Sequence, residues 1–202
     1  MERLYAATAA HIITVNVLQM IKYKKYEHNP PHLFKESSKY FITGATYQHK
    51  RYLKTSEAKD HLLHSIKKGF TAKNWTLEDW VILDNHYHLM VQAGKGEALL
   101  PEIMRGIHRF TAVWLNKYDN EQKRKVWYNY WDSCITYEIS YFARLNYIWY
   151  NPVKHGYCQN AEDYVYGSFH YRYQKEREYL DALKLQYPWD KVNVFDFGVH
   201  YP

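Results

Sequence analysis

Apolar positions along the chain follow two different periods, and each period predicts one kind of secondary structure. Where apolar residues alternate, or β-branched and aromatic residues cluster, strands are predicted at residues 40–47, 74–83, 86–92 and 126–135. Where apolar residues recur every three or four positions, helices are predicted at residues 57–70, 99–118 and 138–151.

The sequence marks either the buried face or an end of each predicted helix. The first is predicted to be capped by Ser56. Its buried face is predicted to contain Leu62, Leu63, Ile66 and Phe70. The second helix is predicted to bury Ile103, Ile107, Phe110, Val113 and Trp114. The third is predicted to stop at Pro152 and Gly156, which are typical of helix ends.

The order of these elements predicts the fold. Strand, helix, strand, strand, helix, strand is the βαββαβ order of an α+β, ferredoxin-like domain. In this fold one antiparallel sheet has helices on one face, and here a further C-terminal helix follows. We expect one domain at residues 36–173, with an N-terminal extension at 1–35 and a C-terminal extension at 174–202.

Composition indicates the class of partner. The 202 residues carry a formal net charge of +6, and 18% of them are aromatic. Lysine and arginine neutralise phosphates and aromatic rings stack on bases, so a nucleic acid is a suitable partner. Many basic proteins bind no nucleic acid, so charge alone leaves this open.

The cysteines and the N-terminal stretch indicate the compartment. Cys134 and Cys158 form neither a metal-binding spacing nor a disulfide framework, so a reducing cytoplasm is expected. Residues 6–21 are apolar but interrupted by polar side chains and too short to span a bilayer. We therefore expect no export signal and no membrane association. Alternatively, Met20 is the natural start and the preceding residues are an extension.

Two histidines lie in the third predicted strand. Because side chains alternate along a strand, Tyr87 would face the core and His86 and His88 the opposite side. Their Cα atoms would be about 6.5–7 Å apart, so both imidazoles could reach one cation. The spacing alone favours a pair of polar residues on a solvated sheet face over a metal site.

Further motifs accompany the His-Tyr-His strand. The segments "YFITGATY", "ILDNHYHLMV", "IMRGIHRFTAVWLN", "VWYNYWDSCI" and "YIWYNPVKHGY" follow one another along the chain. Over residues 28–173 this series resembles the IS200-like, single-tyrosine HUH transposases, and most closely their REP-associated branch. One departure is Asp84, where the common family form has proline, so the geometry of that turn is an open question.

The resemblance implies a set of site residues and a chemistry. It makes Tyr147 the nucleophile, and His86 and His88 the ligands of Mg²⁺ or Mn²⁺. Asn151, four positions after Tyr147 on one helix face, becomes a third ligand or a phosphate-positioning group. Imidazole and amide ligands suit Mn²⁺ or Zn²⁺ better than Mg²⁺. The implied reaction cleaves and rejoins single-stranded or hairpin DNA through a 5′-phosphotyrosine.

Two alternatives use the same fold: a catalytically silent protein that binds hairpin DNA or RNA, and a zinc hydrolase that forms no tyrosine adduct. The resemblance favours a monomer, although a homodimer that exchanges tyrosines is possible. A DNA substrate also implies association with the nucleoid.

Basic and aromatic side chains supply candidate DNA contacts. For each of them a merely solvated basic surface is an equally good interpretation. The candidates are Lys50, Arg51, Arg105, His108, Arg109, Lys123, Arg124, Lys125 and Trp127.

Overall fold

Four strands and four long helices build the part of the chain that the computed structural model describes, residues 37–94 and 100–187. In chain order they are β1 (Lys39–Thr46), α1 (Ser56–Thr71), β2 (Thr76–Ile82), β3 (His86–Gln92), α2 (Leu100–Tyr118), β4 (Trp127–Ile135), α3 (Glu138–Lys154) and α4 (Ser168–Gln186). Two short 3₁₀ turns lie at Tyr47–His49 and Ala161–Asp163.

The strands form one sheet in the order β2-β3-β1-β4, and every neighbouring pair is antiparallel. This is the strand order of the predicted ferredoxin-like α+β fold, which is confirmed. The register pairs Thr43 of β1 with His88 on one side and with Trp131 on the other. Val81 of β2 pairs with His88, so these four side chains form one row across the sheet.

Each face of the sheet carries its own apolar core. Helices α1 and α2 cover one face, where Leu62 and Ile107 pack with Tyr87 and Leu89. Helices α3 and α4 contribute to the core on the other face, where residues such as Ile148 and Leu180 belong to the same cluster as Met90. The predicted C-terminal helix therefore packs on the histidine side of the sheet.

The ends of two helices differ from the prediction. The N-cap of α1 is Thr55, whose hydroxyl accepts a hydrogen bond from the backbone N–H of Ala58; Ser56 is the first helical residue. Helix α3 continues past Pro152 to Lys154. A proline in the last turn of a helix removes only one backbone hydrogen bond, so the helix can continue past Pro152.

The predicted buried face of α2 is wrong at two positions. Phe110 and Val113 are 73% and 65% exposed, whereas Ile103 and Ile107 are buried as predicted. The apolar arc of this helix is wider than the face that reaches the sheet. The helix is rotated so that Thr111 points inward, where its hydroxyl donates to the Ile107 carbonyl and accepts from Trp127 Nε1.

The sequence patterns did not predict α4 as an element. The expected domain boundary at residue 173 lies inside this helix, and Leu180 and Leu183 beyond it are buried in the α3-side core. The expected N-terminal extension, the Met20 alternative and the chain after residue 187 lie outside the described residues. In the described part, no helix has the length and apolar character needed to cross a membrane.

Candidate active site

The two strand histidines lie on the same face of the sheet, as predicted. Tyr87, between them, points into the α1–α2 core, so strand alternation directs His86 and His88 towards α3. Their ring centroids are 5.2 Å apart. Both histidine side chains are buried, so the face is covered instead of solvated where they lie.

Neighbouring polar groups fix the orientation of both rings. His86 Nδ1 lies 2.7 Å from Asn85 Oδ1, and His88 Nδ1 lies 2.8 Å from Thr43 Oγ1. Such bonds to Nδ1 are typical of metal-binding histidines, because they hold the tautomer whose Nε2 carries the lone pair. Within the described residues, the buried Nε2 atom of His86 has no hydrogen-bond partner.

Helix α3 brings the candidate nucleophile and amide to the same place. The Tyr147 ring meets the His88 ring edge-on, with centroids 5.1 Å apart. Asn151 follows one turn later and is buried, and neither of its side-chain polar atoms has a hydrogen-bond partner in residues 37–94 and 100–187. Tyr150, the neighbouring tyrosine on α3, does not join this group: its ring packs on Phe169, with centroids 5.5 Å apart.

Burial keeps the imidazoles neutral. Burial lowers the pKa of His86 to about 3, and the neighbouring His155 adds to this shift. The Asn151 side chain opposes it, which places the amide beside this ring although the pair does not reach hydrogen-bond geometry. Burial, and next the proximity of His86, hold the pKa of His88 well below its usual value. Neutral imidazole is the form that coordinates metals.

These donors fit a divalent ion. Two oriented neutral imidazoles face a buried amide whose polar atoms are unsatisfied, and unsatisfied buried groups are costly unless something binds them. No three His, Cys, Asp or Glu side chains form a metal-binding group in the described chain. A site made of His86, His88 and Asn151 would therefore leave coordination positions open to substrate or water.

Two residues that the sequence interpretation omitted complete the site. Lys154 Nζ lies 3.2 Å from the Tyr147 hydroxyl, and the His155 ring lies 5.0 Å from the His86 ring. Both follow Tyr147 by about two helical turns, so they share its face. The helical spacing within "YIWYNPVKH" could have indicated them.

Ion pairs of the Asp84 carboxylate hold the turn before β3. The Asp84 carboxylate is buried and accepts hydrogen bonds from Lys59 Nζ at 2.8 Å and from Arg51 Nε at 2.9 Å. Although burial would raise it, these two cations hold the pKa of Asp84 below its usual range. The ion pairs tie the turn to α1 and to the chain after β1, so they position the His86 end of the strand.

The candidate DNA contacts fall into three groups. The exposed side chains that form no ion pair within the described residues are Lys50, Arg105, Arg109, Lys123 and Lys125. Two arginines are held in ion pairs, Arg51 with Asp84 and Arg124 with Asp119. His108 and Trp127 stack on each other at 4.4 Å against the α1–α2 core, with Trp127 buried. The indole therefore has no open face on which a base could stack.

Known proteins resemble this chain in sequence and in fold. Residues 34–145, more than half of the chain, match the family described as "Transposase IS200 like". This match includes His86 and His88 and ends just before Tyr147.

One curated protein and one solved structure match the chain over most of their length. The "REP-associated tyrosine transposase" of Escherichia coli (strain K12) is 25% identical over 172 residues, covering 81% of this chain and 94% of the relative. The structure of a REP-associated tyrosine transposase bound to a REP hairpin has a TM-score of 0.57 and 22% identity, covering 87% of this chain and 93% of its own. This structural match supports the fold. With the histidine strand inside the matched region, the chain belongs to the transposase IS200-like family and resembles its REP-associated tyrosine transposases.

Proposed function

We propose that the protein is a metal-dependent DNA strand transferase that cleaves and rejoins hairpin DNA through a 5′-phosphotyrosine. One observation carries this proposal: the Tyr147 ring lies 5.1 Å from His88, in a site whose imidazoles are neutral and whose Asn151 amide is unsatisfied within the described residues. A tyrosine placed at such a donor set is suited to covalent attack on a phosphodiester.

The proposed substrate is a hairpin with single-stranded flanks. A relative's structure contains a REP hairpin, and the net charge of +6 favours a polyanion. Lys50, Arg105, Arg109, Lys123 and Lys125 remain the candidate contacts, because they are exposed and form no ion pair within the described residues. Association with the nucleoid would follow from such a substrate.

His86, His88 and Asn151 would hold Mg²⁺ or Mn²⁺, with Mn²⁺ the tighter binder because of its affinity for nitrogen ligands. When bound, the ion would polarise the scissile phosphate and neutralise charge that develops on its oxygens. Asn85 and Thr43 would keep the two rings oriented through their contacts to Nδ1.

The proposed reaction exchanges one phosphate ester bond for another, so it needs no external energy source. The Tyr147 oxygen attacks phosphorus after its proton passes to solvent, and the bond from phosphorus to the 3′ oxygen breaks. The released 3′ oxygen takes up a proton, leaving a 5′-phosphotyrosine. Attack by another 3′-hydroxyl reverses the step and joins strands, so one tyrosine serves both directions.

All the proposed site residues come from one chain. His86 and His88 lie on β3, and Tyr147 and Asn151 lie on α3. A monomer therefore contains every proposed group, which supports a monomeric enzyme. Size-exclusion chromatography with light scattering would contradict this if active protein were exclusively dimeric.

The proposal is tested with a labelled hairpin oligonucleotide, Mn²⁺ and a denaturing gel. We expect a covalent protein–DNA adduct that a chelator abolishes. Tyr147→Phe should lose the adduct but keep hairpin binding, and His86→Ala should lose cleavage. Tyr150→Phe is the matched control, since this tyrosine is buried three positions later and should retain the adduct.

The outcomes separate the competing functions. An adduct formed by Tyr147→Phe would show that the nucleophile is a different residue. Hairpin binding by the wild-type protein without an adduct would identify a catalytically silent binding protein. Cleaved DNA without an attached strand would identify a hydrolase.

A further inference from the structure

Part of the histidine face remains open beside the proposed active site. Trp131 of β4 lies in the same row of the sheet as His88, separated from it by Thr43 of β1. Strand spacing places Trp131 about 10 Å from His88. Its side chain is 37% exposed, and Ser133, two residues along the same face, is also exposed. Together with the half-buried Thr43, these residues form an open strip of accessible surface between the buried site and the β4 edge.

Aromatic and basic side chains occupy the outer end of this strip. The Tyr128 ring lies 5.8 Å from the Trp131 ring and is 49% exposed. Lys125 Nζ lies 5.8 Å from the centre of Tyr128 and 4.4 Å from that of Tyr47. Exposed rings with an adjacent cation are the features that bind single-stranded nucleic acid without sequence readout.

Arg144 lies at the inner end of the strip, one turn of α3 before Tyr147. Its guanidinium lies 5.8 Å from the centre of Phe41, whose ring stacks on His88 at 5.5 Å. It donates hydrogen bonds to the carbonyl and hydroxyl of Ser140. The buried Nε has no partner among the described residues, and no acidic group of that part of the chain pairs with this arginine.

A guanidinium in this position needs an anion. Burial lowers the pKa of Arg144, and no carboxylate of residues 37–94 and 100–187 counteracts the shift. A buried charge without a counterion is costly, and arginine is well suited to binding phosphate through two N–H groups. Beside a site that would cleave DNA, the matching anion is a phosphate of the substrate.

We propose that Arg144, Trp131, Tyr128 and Lys125, here called the β4 strip, bind the single strand that flanks the cleaved bond. Arg144 binds a phosphate adjacent to the scissile one, and Trp131 stacks on a base. This inference rests on the proposed function, because it assigns a binding subsite next to the Tyr147 centre. Fixing the neighbouring phosphate would align the scissile bond for in-line attack.

The test measures binding without cleavage, in full-length Tyr147→Phe protein without metal. The probes are a blunt hairpin, the same hairpin with a six-nucleotide single-stranded arm on either side, and an unstructured single strand of twenty nucleotides. In this background Trp131→Ala and Arg144→Gln are compared by fluorescence anisotropy. Tyr171→Ala and Arg177→Gln, exposed residues of α4, are the matched controls.

The expected result is selective for single-stranded DNA. Trp131→Ala should weaken binding of the single strand and of at least one armed hairpin about tenfold, and leave the blunt hairpin unchanged. Arg144→Gln should reduce the salt dependence of single-strand binding by about 0.7 in the log–log slope, as for one lost phosphate contact.

Two results would contradict the proposed role of the β4 strip. One is unchanged single-strand and armed-hairpin binding in both variants, and the other is an equal loss for blunt and armed hairpins. Neither result depends on adduct formation, so a failed subsite and a failed strand transferase give different data.

Discussion

The Lys154 ammonium donates a hydrogen bond to the hydroxyl oxygen of Tyr147 across 3.2 Å, and its nitrogen lies 4.7 Å from the centre of that ring. The two residues are seven positions apart on α3, so both project from one helix face towards the histidines. A positive donor at this oxygen stabilises the phenolate, which is the nucleophilic form.

Replacement of Lys154 should slow the attack of Tyr147. We expect Lys154→Ala to reduce the rate of adduct formation about 10- to 100-fold, the worth of one hydrogen bond to a charged group. Its pH–rate profile should move to higher pH, and Lys154→Arg should restore part of the rate.

The matched control for this prediction is Lys184→Ala. Lys184 Nζ lies 4.6 Å from the ring of Tyr150, which is not the proposed nucleophile, so this variant should react normally. Equal rates for Lys154→Ala and the wild-type protein would show that Tyr147 needs no help from this cation.

Thr43 should tune metal binding through His88. Thr43→Val removes the hydroxyl 2.8 Å from His88 Nδ1 and keeps the side-chain shape, so the ring loses an orienting contact. Loss of such a contact typically reduces metal affinity 10- to 100-fold. Calorimetric titration with Mn²⁺ should show at least a tenfold weaker Kd. Thr76→Val, at an exposed position of β2, should leave the Kd unchanged. Identical Mn²⁺ affinities of the wild type, Thr43→Val and Thr76→Val would show that Thr43 does not contribute to metal binding.

Asp84 should contribute strongly to stability. Its carboxylate pairs with Lys59, and both side chains are nearly inaccessible, at 6% and 7% exposure. Asp84→Asn leaves the Lys59 ammonium buried without its counterion, so the free energy of unfolding in urea should fall by about 3 kcal/mol.

Asp119→Asn supplies the comparison for Asp84. Asp119 pairs with Arg124 but is 34% exposed, so its loss should cost less than about 1 kcal/mol. Adding Lys59→Met to Asp84→Asn should recover part of the lost stability. If Asp84→Asn and Asp119→Asn unfolded at the same urea concentration, burial would not increase the contribution of the Asp84 ion pair to stability.

Acid should destabilise the protein partly through His108. Burial lowers the pKa of His108 to about 4, from a usual value of about 6.5. Between these two pH values the unfolded chain binds more protons than the folded one. The contribution of this residue is therefore complete above about pH 6.5 and is lost as pH falls towards 4.

His108→Gln provides the measurement. The loss of unfolding free energy between pH 7.5 and pH 4.5 should be about 2 kcal/mol smaller in this variant than in the wild-type protein. The other buried histidines titrate in both proteins and cancel in the comparison. Parallel pH dependences would place the folded pKa of His108 near its usual value.

Local periodicity accounts for much of the fold. Strand β3 has the predicted bounds, and α2 and β4 each differ from them by one residue, because their apolar periods are regular over many positions. The helix that crosses Pro152 and the cap at Thr55 depended on backbone geometry that residue preferences specify weakly.

The sequence by itself determined the strand order and which face of β3 carries His86 and His88, because alternation along a strand follows from backbone geometry alone. It also placed Tyr147 and Asn151 on one helix face through their spacing. Only the tertiary structure decided that α3 lies over the histidines, and that Trp127 is buried while Trp131 is exposed. Those outcomes depend on how helices pack across the sheet, which couples residues far apart in sequence and leaves no local periodic signal.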